Sequence, residues 1–184
     1  MVLEKLAKMK FSSLLLLIIF LKINIVFSQK EEEIEIIIEN ADTIILAKDL
    51  HTNLYNQILV GNVFLTYEGT KMFCDSAVKY GDNNTIEAFY DVEILQGDSI
   101  HLKSHYLKFS NLTQQTLAKD SVSLRHNEAT LFTDFITYYL NTNIAKFKDT
   151  GRIVDLQNKI LSERGIYQLN QNMVTFYNLS LIHI

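Results

Sequence analysis

A two-residue motif returns about every thirty residues along this chain, and a period of that length restricts it to folds built from stacked supersecondary units. A small residue is followed at once by a polar one at Ala41-Asp42, Cys74-Asp75, Ser104-His105, Thr133-Asp134 and Ser162-Glu163. The polar members follow one another at intervals of 33, 30, 29 and 29. Two positions beyond each stands an apolar residue (Ile44, Ala77, Leu107, Ile136), with Gly165 as the exception. A second set, Asn62-Val63, Asp91-Val92, Ser121-Val122 and Arg152-Ile153, keeps the same time at intervals of 29, 30 and 31. Two landmarks in phase are hard to obtain by chance.

Each repeat holds two short segments of alternating apolar and polar residues, the pattern of half-buried strands. Val92 and Ile94 point one way and Glu93 and Leu95 the other, before Gln96-Gly97-Asp98 turns the chain. On the return, Ile100, Leu102 and Ser104 share a face opposite His101 and Lys103, because strand side chains alternate with a period of two. The next repeat copies this with Val122 and Leu124 outbound and Ala129, Leu131 and Thr133 returning. The alternation slips after Ser104, where Leu107 and Phe109 take over the inward phase, and a β-bulge near the small-polar pair accounts for it. No sustained helical period occurs between Gln29 and the C-terminus. With no proline in the chain, Asn and Asp are left to mark the turns. One hairpin cannot bury its apolar face alone, so the units must lean on one another. The expected architecture is all-β, an elongated antiparallel sheet folded over on itself with open edges at both ends.

The segment from Met1 to Ser28 does not belong to that sheet. Lys5, Lys8 and Lys10 precede an apolar run from Leu14 to Leu21, then Lys22 and a weaker run to Phe27. The run is too short and too interrupted for a membrane span, and Val26 and Ser28 occupy the small-residue positions of a cleavage site. A secretory signal, 1–28, cut between Ser28 and Gln29 is expected. Its removal takes away four lysines and one glutamate and moves the net charge from −4 to −7. So acidic a domain is a poor match for nucleic acid, which is bound mainly through positive charge. The lone Cys74 allows no internal disulfide, so stability must come from sheet and core. Counting on by the repeat, a fifth outbound strand opens close to Asn178-Leu179. The span 29–178 is therefore taken as the repeat domain and 179–184 as a doubtful tail of a truncated product.

The residues that carry the repeat also resemble a known family. Leu59-Val60-Gly61-Asn62-Val63, Met72-Phe73-Cys74-Asp75-Ser76-Ala77 and Ile86-Glu87-Ala88 before Asp91-Val92 are similar to the organic-solvent-tolerance (OstA-like) family of periplasmic lipopolysaccharide-transport proteins. The Cys-Asp-Ser-Ala form, with Gly151-Arg152-Ile153-Val154, is most similar to the large OstA-like proteins of Bacteroidetes-type bacteria. The resemblance covers roughly residues 33–178. It implies an open β-jellyroll of stacked V-shaped strand pairs whose interior holds the acyl chains of lipid A. It also implies a periplasmic location with a further association at the outer membrane. The implied partners are lipopolysaccharide and other jellyroll transport proteins joined by edge-strand pairing, copies of itself included. No cofactor and no catalytic or metal site is implied.

The inward positions expected to line such a groove are Val63, Leu65, Met72, Val92, Ile94, Ile100, Leu102, Leu107, Val122, Leu124, Leu131, Ile136, Ile153 and Ile160. Periodicity does not separate a groove from a closed core, and both readings stand at this level. The acidic charge and the lack of a basic cluster give headgroup recognition no support.

A search for chemistry returns little. His101 and His105 would pair on a helix, but four positions apart on a strand they stand about 13 Å from one another, too far to share an ion. The polar members of the repeat form a ladder, but each belongs to a different strand pair and one is His105, so bend-stabilising roles fit better than catalysis. No phosphate loop, serine-nucleophile motif or zinc spacing is present. A lipid-transport module leads. A structural or adhesive scaffold of the cell envelope, with a fully packed interior, is the alternative, and an enzyme acting on polysaccharide would need converging carboxylates that the sequence does not offer.

Overall fold

The computed structural model describes residues 35–81 and 85–183, and these form a nearly all-β unit. The expected leader lies outside the described residues. The strands are β1 (Ile37–Asn40), β2 (Thr43–Lys48), β3 (Tyr55–Tyr67), β4 (Thr70–Lys79), β5 (Thr85–Gln96), β6 (Ile100–Ser110), β7 (Gln115–His126), β8 (Ala129–Tyr139), β9 (Ile144–Phe147), β10 (Gly151–Val154), β11 (Lys159–Gln168) and β12 (Met173–His183). A 3-10 turn, Leu169–Gln171, precedes β12.

These twelve strands join one antiparallel sheet in the order β1-β3-β4-β5-β6-β7-β8-β10-β11-β12. The two remaining strands fill half-positions. β2 pairs with the first part of β3 while β1 pairs with its second part, and β9 and β10 divide the space between β8 and β11 in the same way.

Each long outbound strand bends once at the second landmark. Gly61-Asn62 in β3, Tyr90-Asp91 in β5 and Asp120-Ser121 in β7 all have positive φ. Opposite each doublet the partner strand spends one residue, Asp75, His105 or Asp134. Two residues against one is a β-bulge, which bends and twists the strand that carries it. The bulge expected near the small-polar pair is therefore present, with its extra residue on the neighbouring strand. The polar member of the pair reaches toward it. Asp42 Oδ2 accepts from Asn62 Nδ2 at 2.9 Å, His105 Nδ1 lies 3.1 Å from Asp120 O, and Glu163 Oε2 accepts from Asn178 Nδ2 at 2.9 Å. Those contacts make Asp42, His105 and Glu163 supports of the bends.

The bends fold the sheet into two leaves. The first runs from the bends to the turns at Glu68-Gly69, Gly97-Asp98 and Asn127-Glu128, the second to the turns near 111–114, 141–143 and 169–172. Asn127, Asn143 and Asn172 have φ of 53°, 51° and 49°. Asparagine tolerates that left-handed region better than most residues, which is how a chain without proline still turns tightly.

Small residues sit where the leaves converge. Cys74, Ser104, Thr133 and Ser162 are all buried at the bends. Ser162 Oγ lies 2.9 Å from Arg164 O and 2.8 Å from Tyr177 O, satisfying a hydroxyl that has no access to water.

Candidate functional site

The interior between the leaves is built from two cross-strand rows. On the first leaf the pairing runs Leu65, Met72, Ile94, Leu102, Leu124, Leu131, Ile153, Ile160. Every member of that row was expected from periodicity. Val63, Val92 and Val122 are buried just beyond it at the bends. Ile100 is partly buried and packs on the cluster, as does Ile94, while Ile160 is half-buried at the start of β11.

The second leaf was largely missed. Its row runs Leu59, Ala77, Ala88, Leu107, Ala118, Ile136, Phe147, Gly165, Phe176, and only Leu107 and Ile136 were expected there. Phe109, expected inward after the phase slip, adds to its buried face together with Ile86, Tyr138 and Tyr167. A signal existed: Leu59, Ala88 and Ala118 each stand four positions before the valine of the second landmark. Inserting two bend residues preserves the inward parity, so β3, β5 and β7 each run on through the bend.

An apolar cavity remains between the leaves, lined on one side by Leu65, Met72 and Ile94 and on the other by Ile86, Phe109 and Tyr138. Its volume is about 40 Å³. One water molecule needs about 10–15 Å³ of such space, so the cavity holds a few water-sized groups and not a whole acyl chain. The Thr116 hydroxyl is buried at the cavity wall and has no hydrogen-bond partner among the described residues.

Among the described residues no group of three His, Cys, Asp or Glu side chains could hold a metal ion. Burial, helped by the neighbouring Asp75 carboxylate, pushes the Cys74 thiol up to about 12, which keeps it protonated and unreactive. His101 turns outward from the core to a short contact with Glu93 and lies 3.2 Å from Arg125 Nη2.

The fold gathers cations that are scattered in sequence. Lys146 lies over the Tyr139 ring at 5.0 Å, Lys148 over Phe135 at 4.8 Å and Arg164 over Tyr177 at 5.8 Å. The three line one surface hollow of about 470 Å³ outside β8, β9 and β11. The sequence shows no basic cluster because Arg164 comes from β11, sixteen positions after Lys148.

The sheet's two edges are unlike its middle. Among the described residues β2 pairs only with β3, and Ile44, Ile45 and Leu46 on it are exposed, as is Ile37 on β1. At the other end β12 pairs, among the described residues, only with β11. Unpaired edges with apolar side chains are templates for another strand.

Comparisons with known proteins agree with this architecture. A family model described as OstA-like protein matches residues 33–182. The chain is similar in fold to the crystal structure of LptH, the LptA-homologous periplasmic component of the lipopolysaccharide transport device of Pseudomonas aeruginosa. The match has a TM-score of 0.55 at 14% identity and covers 59% of this chain and 82% of that one. No curated protein matches the chain.

Proposed function

The chain belongs to the OstA-like family, and on that footing we propose that it takes the acyl chains of lipid A between its two leaves and carries lipopolysaccharide through the periplasm toward the outer membrane. The observation that carries this reading is the continuous apolar row from Leu65 to Ile160, which crosses seven strand pairings without a charged residue. Each methylene removed from water is worth about 0.8 kcal/mol, so an apolar track holds acyl chains without a charged clamp. The leaves must part further to admit them, since the cavity between them has a volume of about 40 Å³.

Photo-crosslinking in cells tests it. A photoreactive residue replacing Leu102, which is buried, is expected to form adducts with lipopolysaccharide, and one replacing the neighbouring outward Lys103 is not. Absence of adducts at Leu102 in folded, exported protein would sink the lipid reading. The packed interior favours the second reading, an envelope scaffold without lipid, and that result would select it.

The edges supply the partner. Similar jellyrolls, copies of this chain included, add to β1 and β2 or to β12 by strand pairing, with backbone hydrogen bonds providing affinity. Ile45→Lys places a charge on the exposed β2 edge, and sedimentation of the purified protein is expected to shift from head-to-tail oligomers toward monomer. Oligomers unchanged by the substitution would exclude this edge.

A further inference from the structure

On the side of the molecule opposite the bends, side chains join the two leaves in three rungs that repeat with the fold. In the first, Tyr67 Oη donates to Asn111 Oδ1 at 2.8 Å and accepts from Gln114 Nε2 at 2.6 Å. In the second, Tyr138 Oη lies 2.9 Å from Gln96 Oε1 and 2.6 Å from Asn143 Oδ1. In the third, His126 Nδ1 lies 3.0 Å from Tyr167 Oη, which donates to Asn172 Oδ1 at 3.0 Å.

The rungs occupy equivalent places. Tyr67, Gln96 and His126 end β3, β5 and β7 and follow one another at intervals of 29 and 30. Across from them Phe109, Tyr138 and Tyr167 are spaced by 29, as are Asn143 and Asn172. Phe109 lacks the hydroxyl, and in its rung the Tyr67 ring packs on it at 5.1 Å while Tyr67 supplies the polar contact.

Donor and acceptor roles in the third rung follow from Asn127, whose Nδ2 lies 3.2 Å from His126 Nε2. An amide nitrogen only donates, so Nε2 accepts and the imidazole proton sits on Nδ1, facing Tyr167 Oη. Burial holds the imidazole below its usual range and favours this neutral form.

Behind the rungs lies the apolar cavity, whose wall includes Tyr67, Gln96 and Tyr138 themselves. At the bends the leaves are joined by continuous backbone; at the rungs they are joined by a few neutral hydrogen bonds, individually modest in net strength. We propose that the rungs formed by Tyr67, Tyr138 and Tyr167 are the gate through which an acyl chain enters, parting from their partners in turn as the leaves separate. This rests on the lipid reading above.

Full-length protein tests the gate with fluorescently labelled lipid A. In Gln96→Cys/Tyr138→Cys the second rung is locked by a short thiol crosslinker that reduction reopens. The locked form is expected to lose lipid A loading, and the reopened form of the same protein to regain it. Tyr138→Phe, which removes one hydroxyl and little volume, is expected to load about 2- to 10-fold faster than the natural chain. Loading by the locked form at the reopened rate, or no acceleration by Tyr138→Phe, would overturn the gate and leave lipid binding intact. No loading by the natural chain at all would instead remove the lipid reading and the gate with it.

Discussion

Leu124→Ala is expected to destabilise the protein by about 2–5 kcal/mol, the range for deleting a fully buried leucine from a core that relaxes only partly. Leu124 has no exposed surface and stands in register between Leu102 on β6 and Leu131 on β8. Strands on both sides are held by backbone ladders, so neither can close over the vacancy. Urea unfolding reads the effect as a lower midpoint at unchanged slope. The neighbouring Lys103→Ala is the control. Lys103 is exposed and its contact with Glu93 at 3.4 Å is a surface pair, worth little. A Leu124→Ala protein as stable as Lys103→Ala would mean that the leaves are not packed against each other as described.

Restoring the repeat at Gly165 is expected to harm the fold. Ile44, Ala77, Leu107 and Ile136 hold the corresponding place in the other repeats, so Gly165→Ile makes the sequence more regular. In the sheet, however, Gly165 lies between Phe147 on β9 and Phe176 on β12. A Cβ there would stand 2.5 Å from Phe147 Cζ and 3.0 Å from Thr175 O. Phe147 is buried and meets Gly151 on its other side, where a Cβ would fall 2.2 Å from the ring. The ring therefore cannot move aside, and overpacking of this kind costs about 1–3 kcal/mol or more. The decisive measurement is the double variant with Phe147→Ala. If the ring is the cause, the pair is destabilised by less than the sum of its members, a coupling that independent sites do not show. Strict additivity would assign the glycine some other role.

The first leaf and the second were unequally legible, and the residues show why. Leu102 and Leu124 alternate with charged or polar neighbours, so their facing follows from strand geometry alone. Ala88, Ala118 and Ala145 are completely buried, yet as alanines they give almost no hydropathy contrast. They are small because they lie opposite large partners: Ala88 and Ala118 flank Leu107, and Ala118 also faces Ile136. Complementarity of volume between neighbouring strands is invisible in any one of them.

By itself the sequence determined the repeat, the strands, the phase slip at each small-polar pair and the inward row from Leu65 to Ile160, because these depend on residues close together in the chain. Only the tertiary structure decided that each long strand bends to run through both leaves, that Gly165 complements Phe147, that Lys146, Lys148 and Arg164 share a hollow, and that tyrosines bridge the leaves. Each of those rests on contacts between separate strands, and the Tyr67, Tyr138 and Tyr167 bridges join residues 41 to 47 positions apart, at Asn111 and Gln114, Gln96 and His126. Local alternation sets which way a side chain points; the bulges that fold one leaf onto the other set what it meets.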